Sequence, residues 1–270
     1  MTDVSIIIVN YKMKDLIVPC LESLKADVSG SSLQVHVVVV DNASNDDSCP
    51  TILSQFPDYT CLINTRNLGY GGAVNIGIRS HEAKYYFVLN PDTKFVEPRT
   101  IERLYAFMEA HPKIGMIGPK LLNVDGTLQF SCNRFPPLMI PLLRRTSLGE
   151  KKMFRRKVDR FLMRDFDHEK TQPVDWVIGS AMFVRASALK DVGFFDDRFF
   201  MYFEDTDWCR RFWEAHWPIY YVHDIVIMHH HGRGSARVPG VFRALFMNKL
   251  ARLHVQSAMK YFWKWRGIKI

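Results

Sequence analysis

An α/β fold on a mostly parallel central sheet, with helices on both faces, is what this sequence predicts, and three features predict it. Short runs of β-branched residues alternate with stretches of helical periodicity from residue 4 to residue 89. Four successive runs end in polar residues, and the carboxyl edge of a parallel sheet is where ligands bind. The chain has 270 residues and is 47% hydrophobic, enough to bury a sizeable core, with or without an appended helical segment.

The elements follow in order. Val4 to Val9 reads as a strand buried on both faces, and Leu16, Cys20, Leu21 and Leu24 then recur at helical spacing. Val35 to Val40 is a second buried strand, closed by Asp41-Asn42-Ala43-Ser44-Asn45-Asp46, a cluster suited to a turn and a helix cap. Thr51 to Phe56 is helical, Thr60 to Asn64 a third strand, Val74 to Ser80 helical again and Tyr85 to Leu89 a fourth strand. Asn10 and Tyr11, Asp41, Asn67 and Asp92 stand after these strands. Any one of them is explained by a cap or a turn; four in succession are not.

The second half is less regular. Arg134 to Asp165 is dense in arginine and lysine against only Glu150, Asp159 and Asp165, and it opens with Pro136, Pro137 and Pro141, which suggests a mobile basic insertion. Val174 to Arg185 resumes strand-like core sequence. Asp205 to His216 is expected to be helical, since Trp208, Phe212 and Ala215 share a face. Tyr220 to Met228 is a further strand and Val241 to Trp265 a long helical stretch. No internal repeat is present.

The net charge of +8, with a pI near 9.2, favours acidic partners such as nucleotides or an anionic membrane surface. Nucleic acid is disfavoured, because the cations cluster in the insertion and the tail without a recognisable nucleic-acid motif. Five cysteines with no Cys-x-x-Cys spacing suggest free thiols in a reducing compartment. No basic leader precedes the first strand and no apolar run is long enough to span a bilayer, so the expected location is cytosolic or peripheral on the membrane.

Four segments carry candidate chemistry. Asn90-Pro91-Asp92 puts a carboxylate at a strand end, where it could hold a divalent cation against a diphosphate; an Asx turn is the structural alternative. Phe203-Glu204-Asp205-Thr206-Asp207 sets three acids ahead of an aromatic-rich helix. One would suffice to satisfy the helix dipole; three suggest a general base near a binding surface. His229-His230-His231 closes the late strand, where alternation lets at most two of the imidazoles face the same way. Gly69-Tyr70-Gly71-Gly72 fails the dinucleotide fingerprint, since Val74 replaces its third glycine, and no Walker phosphate loop is present.

Taken in order, the segments resemble the GT2 family of inverting glycosyltransferases, which have the GT-A fold, and within it the rhamnosyltransferase-like branch. The matching stretches include Ser5 to Tyr11, Val38 to Ser44, Asn67 to Gly77 and Leu89 to Asp92. Gly179 to Arg185, Phe203 to Arg211, and His229 with Gly232 follow. The resemblance implies a GT-A domain over residues 1–235. Its nucleotide-binding half is 1–130, its acceptor and catalytic half is 131–235 with the basic insertion at 134–165, and a basic aromatic helical tail follows over 236–270.

It also implies roles. Asp41 would hydrogen-bond the pyrimidine base, with Val9, Asn10, Tyr11, Asn67, Gly71 and Asn90 lining the nucleotide pocket. Asp92 would stand at the Asp-x-Asp metal position, whose first acid is here Asn90, with Mg2+ or Mn2+ as the cofactor. His229 would complete metal or diphosphate binding, with His231 the alternative. Asp205 would be the catalytic base; Gly179, Ser180 and Glu204 would meet donor sugar or acceptor.

The implied reaction moves a sugar from a nucleotide diphosphate to an acceptor hydroxyl. dTDP-L-rhamnose is the favoured donor, UDP-hexoses are next, and the acceptor is a saccharide, lipid-linked, in cell-envelope polysaccharide synthesis. A catalytically inactive nucleotide-sugar binding module is the main alternative, opposed by the presence of both Asp92 and Asp205. A sugar nucleotidyltransferase is opposed by the absence of a glycine-rich loop in Asn10 to Lys14. The tail, ending Lys260-Tyr261-Phe262-Trp263-Lys264-Trp265-Arg266, is expected with the insertion to attach the protein to the inner face of the cytoplasmic membrane.

Overall fold

The computed structural model describes residues 2–144, 147–230 and 248–268. Its strands are β1 (Thr2–Asn10), β2 (Val35–Asp41), β3 (Thr60–Ile63), β4 (Ala83–Leu89), β5 (Thr93–Phe95) and β6 (Met116–Leu122). The rest are β7 (Leu128–Gln129), β8 (Cys132–Asn133), β9 (Gln172–Pro173), β10 (Trp176–Val177), β11 (Ala181–Arg185) and β12 (Ile219–His229). The helices are α1 (Lys14–Val28), α2 (Ser48–Gln55), α3 (Gly69–Ser80), α4 (Thr100–Ala110), α5 (Ile140–Leu143), α6 (Lys152–Phe161), α7 (Leu189–Val192), α8 (Glu204–Glu214) and α9 (Lys249–Lys264).

The main sheet runs β3-β2-β1-β4-β11-β6-β12-β5. Strands β1, β2, β3 and β4 are parallel, as the βαβ alternation requires, and β12 is parallel to β6. β11 enters antiparallel between β4 and β6, and β5 pairs antiparallel with the end of β12. Alternation along β1 and β2 supplies both core faces. Ile6, Ile8, Val37 and Val39 meet Ile17, Leu21 and Leu24 on one side, while Ile7, Val9, Val38 and Val40 meet Val74 and Ile78 on the other. Gly77 lets α3 lie close on the sheet, since a side chain there would collide with Ile7.

Several expectations are corrected. Val174 to Arg185 is not one strand: β10 belongs to a small second sheet with β8, and the chain turns through Ile178-Gly179-Ser180 before β11. The basic stretch folds as α5 and α6, with Ile140, Leu143, Phe161 and Met163 buried in the core and Lys152, Arg155, Arg156 and Arg160 exposed. Cys49 and Cys61 are joined in a disulfide that ties α2 to β3, so only Cys20, Cys132 and Cys209 are free thiols. All three are buried, and burial pushes Cys20 up to about 12.

Of the expected long C-terminal helix, Lys249–Lys264 is helical and 241–247 lie outside the described residues. It begins at Asn248, whose side chain accepts from the Leu250 and Ala251 amides. Its Ala258 and Tyr261 pack on Phe199 and Phe203. Lys264 and Trp265, expected to face a bilayer, turn into the protein and reach Asp207. Trp263 and Met259 face outward.

Candidate active site

The carboxyl edge of the parallel strands is built on asparagine side chains. Asn10 has no accessible surface. Its Nδ2 donates to Asp41 Oδ2 at 2.8 Å and to Ser44 Oγ at 3.3 Å, while its Oδ1 accepts from the Met13 amide. The Ser44 amide donates to the other Asp41 oxygen at 2.9 Å. Asn10, expected to line the nucleotide pocket, is turned onto Asp41, whose carboxylate it aims. Val9 is buried beneath, and Tyr11 is exposed.

Asn42 ties the loops after β2 and β3 together. Its Nδ2 donates to Asn67 Oδ1 and to the Gly69 carbonyl, both at 3.0 Å, and its Oδ1 accepts from Asn64 and from the Leu68 amide. Asn67 also accepts from the Gly69 amide. The glycine-rich turn then serves close packing: Gly69 has φ +79°, and a side chain there would collide with the Phe200 carbonyl. Gly71 faces Phe195, which a Cβ would meet at 2.9 Å, so its missing side chain has a packing reason apart from any contact with nucleotide.

Strand pairing brings Asp92 to His229. β5 and β12 pair with His229 opposite Thr93, and the His230 amide donates to the Asp92 carbonyl at 2.8 Å. His229 is buried; its Nδ1 lies 2.7 Å from Gln129 Oε1 and its Nε2 lies 3.3 Å from Asp92 Oδ1. Because Gln129 Nε2 donates to Asn123 Oδ1, its Oε1 is the acceptor and His229 donates from Nδ1. Asp92 Oδ1 is buried and has no hydrogen-bond partner among the described residues.

An imidazole nitrogen and a buried carboxylate oxygen so placed suit a positive species between them, and the imidazole is oriented by an amide as metal-bound histidines are. The pair fits Mg2+ or Mn2+, which take one or two protein ligands and complete their shell with substrate phosphates and water. No group of three or more His, Cys, Asp or Glu side chains converges among the described residues. His231 lies outside them.

Asn90 closes the next strand. Its amide donates to the Ser180 carbonyl at 2.9 Å, and its side chain approaches Ser180 Oγ at 3.4 Å. Here β4 and β11 bring the turn at Gly179-Ser180 against Asn90-Pro91-Asp92.

The acidic cluster opens α8. Phe203 and the preceding Tyr202 both have left-handed backbone, φ 67° and 69°, an uncommon pairing for two aromatic residues. They aim Glu204 and Asp205 at the turn. Asp205 Oδ2 accepts from the Gly179 amide at 3.0 Å, and Oδ1 accepts from the Thr206 amide at 2.7 Å and hydroxyl at 3.3 Å. Glu204 is buried and its Oε2 has no partner among the described residues. Burial first, and then the Asp205 charge, push the Glu204 carboxyl well above the usual range. Burial also raises Asp205, against the hydrogen bonds it accepts. The two acids thus differ: Asp205 keeps partial solvent access and three donors, and Glu204 is the more strongly raised of the two.

Tyr70 joins these parts. Its hydroxyl donates to the Gly179 carbonyl at 2.5 Å. Burial, then Glu204, Asp205 and Asp92, raise it well above its ordinary value, so three acids bear on one phenol. The structure therefore gathers Asp92, His229, Asn90, Gly179, Ser180, Glu204 and Asp205 on one side of the edge, and Asp41 and Asn67 on the other. Sequence reasoning missed Tyr70, Asn42 and Gln129. Only Asn42 carried a signal, as the residue after Asp41 in a polar strand end.

This is the fold of the GT-A glycosyltransferases. The S. aureus TarS structure with UDP-GlcNAc superposes with a TM-score of 0.58 at 16% identity, over 86% of this chain and 60% of that one. GalNAc-T7 with UDP, GalNAc and Mn2+ superposes with a TM-score of 0.63 at 14% identity, over 85% and 43%. The sequence model of glycosyl transferase family 2 matches residues 5–193. The N-acetylglucosaminyl-diphospho-decaprenol L-rhamnosyltransferase of Mycobacterium tuberculosis is 31% identical over 234 residues, 82% of this chain and 75% of the relative. A low-salt glycan biosynthesis hexosyltransferase of Haloferax volcanii is 31% identical over 216 residues, 77% and 61%. The chain belongs to glycosyl transferase family 2 and is a glycosyltransferase.

Proposed function

We propose that this enzyme transfers L-rhamnose from dTDP-L-rhamnose, with inversion, to a hydroxyl of a lipid-linked saccharide in cell-envelope polysaccharide synthesis. The observation that carries the reading is the arrangement of Asp205: an acid with partial access, held by the Gly179 amide, on the sheet edge that also carries the Asp92–His229 pair. The Mycobacterium relative, named for rhamnosyl transfer to a diphospho-decaprenol acceptor, supports the donor and acceptor class. A UDP-hexose donor is the second choice, favoured by the UDP-GlcNAc in the TarS structure.

In this reading the base of the nucleotide meets Asp41, and its diphosphate lies toward Asn90 and Asp92. Asp92 and His229 would hold Mg2+ or Mn2+, which would supply positive charge against the diphosphate leaving group. An acceptor hydroxyl is far too weak an acid to ionise first, so Asp205 helps as the proton is lost in the transition state. Its raised pKa makes it a stronger base than an exposed aspartate, and the three hydrogen bonds fix its direction. Glu204, whose carboxyl burial pushes well above the usual range, would donate to a sugar oxygen in its protonated form without adding a second negative charge. Attack from the side opposite the diphosphate inverts the anomeric centre in one displacement.

The proposed location is the cytoplasmic face of the membrane. Leu138, Met139, Leu148 and Met153 are exposed among the cations of the basic stretch, and Met259 and Trp263 are exposed on α9. No helix among the described residues is long and apolar enough to cross a bilayer.

The deciding experiment is a panel of nucleotide sugars in a thermal-shift assay with Mn2+ or Mg2+, followed by anomeric analysis of the product. The right donor in large excess should stabilise by about 2–4 kcal/mol. Binding of dTDP-L-rhamnose without any turnover on saccharide or lipid-linked acceptors would favour the inactive binding module instead.

A further inference from the structure

The contacts that seat α9 converge on one carboxylate. Asp207, two residues after Asp205 in α8, has no accessible surface. Lys264 Nζ lies 2.7 Å from its Oδ1 and 2.8 Å from its Oδ2. Trp265 Nε1 donates to Oδ1 at 2.8 Å, and Arg211 Nε to Oδ2 at 3.1 Å. The same Lys264 ammonium reaches Asp196 Oδ2 at 2.8 Å. One cation from the C-terminal helix therefore staples both ends of the segment that leads into the catalytic helix.

That segment is also held along its length. Ser257 Oγ donates to the Met201 carbonyl at 2.8 Å and Lys260 Nζ to the Arg198 carbonyl at 2.6 Å. Ala258 and Tyr261 pack on Phe199 and Phe203. Within it stand Tyr202 and Phe203, whose left-handed backbone persists only where the surroundings over-determine it. A buried carboxylate likewise requires its partners to stay.

We propose that α9 is a brace that sets the position of Asp205, with Lys264 as its positioning residue, acting through Asp207 and the strained turn at Tyr202-Phe203. Their role is to fix the first turn of α8 in the one direction that keeps Asp205 on the Gly179 amide. Misplacement of a reacting group by about an ångström costs on the order of a hundredfold in rate. The role rests on Asp205 being the base, but the brace itself has a readout that does not.

The test is hydrogen exchange and turnover on the full chain carrying Lys264→Met, Lys264→Arg or Trp265→Phe. Trp265→Phe is the mild variant, removing one N–H donor from Asp207. Lys264→Met should speed amide exchange at residues 199–206 at least tenfold while residues 38–44 keep their protection. Turnover, read as nucleotide diphosphate released from the nucleotide sugar, should fall roughly ten- to a hundredfold. The Kd of dTDP or UDP should stay within twofold of wild type, and Lys264→Arg should recover part of the rate. Unchanged exchange at 199–206, a loss of protection spread over the whole sheet, or undiminished turnover with loosened exchange would each overturn the brace. If Asp205→Asn instead keeps its turnover, the base assignment falls while the exchange result still judges the brace.

Discussion

Tyr70 and Gly179 are joined by a 2.5 Å hydrogen bond from phenol to carbonyl, and the amide of that same glycine donates to Asp205. One residue of the α3 turn thereby reaches across to hold the turn on which Asp205 rests. Tyr70→Phe should cost about 1–2 kcal/mol in urea denaturation, the value of a hydrogen bond whose acceptor is left behind. Turnover should fall more than that loss of stability explains. A variant equal to wild type in both would show that the bond does not position Gly179.

The different surroundings of Asp205 and Glu204 predict a particular pH profile. A base must be ionised, so turnover should fall as pH drops through the Asp205 pKa, which burial places above that of an exposed aspartate. Glu204→Gln imitates the neutral acid and should leave that limb in place. Were Glu204 ionised instead, its removal would move the limb to lower pH. Asp205→Asn should reduce turnover roughly 10²–10⁴-fold, with nucleotide affinity retained.

Metal binding can be read without catalysis. Titration of Mn2+ followed by electron paramagnetic resonance, in the presence of nucleotide diphosphate, should show weaker binding in Asp92→Ala. Gln129→Leu should weaken it about 10–100-fold, the usual cost of losing the group that orients a ligating histidine. Chelator should abolish turnover. Full activity in EDTA would leave basic side chains to neutralise the leaving group.

Thiol titration of the denatured protein should find three reactive cysteines before reduction and five after, given the Cys49–Cys61 bond. Reduction should lower stability by about 3 kcal/mol for a loop of this size. Five thiols in the protein as purified would restore the expectation drawn from the odd cysteine count.

Attachment to anionic liposomes should survive in Lys264→Met, whose cation faces inward, and weaken in a Met259→Ser, Trp263→Ser double variant. Added salt should weaken it as well. Equal binding by wild type and the double variant would confine the contact to the basic stretch.

Much of the sheet was readable because burial on both faces demands unbroken β-branched runs, and Val4 to Val9 or Val35 to Val40 suit little else. Asp41 and Asp92 were readable as candidates because polar groups gather where such strands end, and Asp205 because three acids precede an aromatic-rich helix. Their neighbours were not. Glu204, Asp205 and Asp207 look alike in the sequence. Only burial and partners separate Glu204, buried without a partner at Oε2 among the described residues, from Asp205, held by Gly179 and Thr206, and from Asp207, which anchors α9. Gln129 meets His229 from 100 residues away, a distance no local pattern spans. Trp263 and Trp265 form one aromatic cluster on paper, yet a helix carries them to different sides, one to solvent and one onto Asp207.

The close approach of Gly69 to the Phe200 carbonyl has a practical consequence for anyone exchanging parts between relatives. The first and second halves of the chain are not separable modules, because the backbone of one lies directly on the backbone of the other, with Tyr70 N bonded to the same carbonyl at 3.0 Å. A chimera that joins the first half of this chain to the second half of another must match the path of the 196–203 segment at that single point. Where the incoming loop runs even slightly deeper, the mismatch falls on the turn before Asp205, and specificity cannot be swapped without rate.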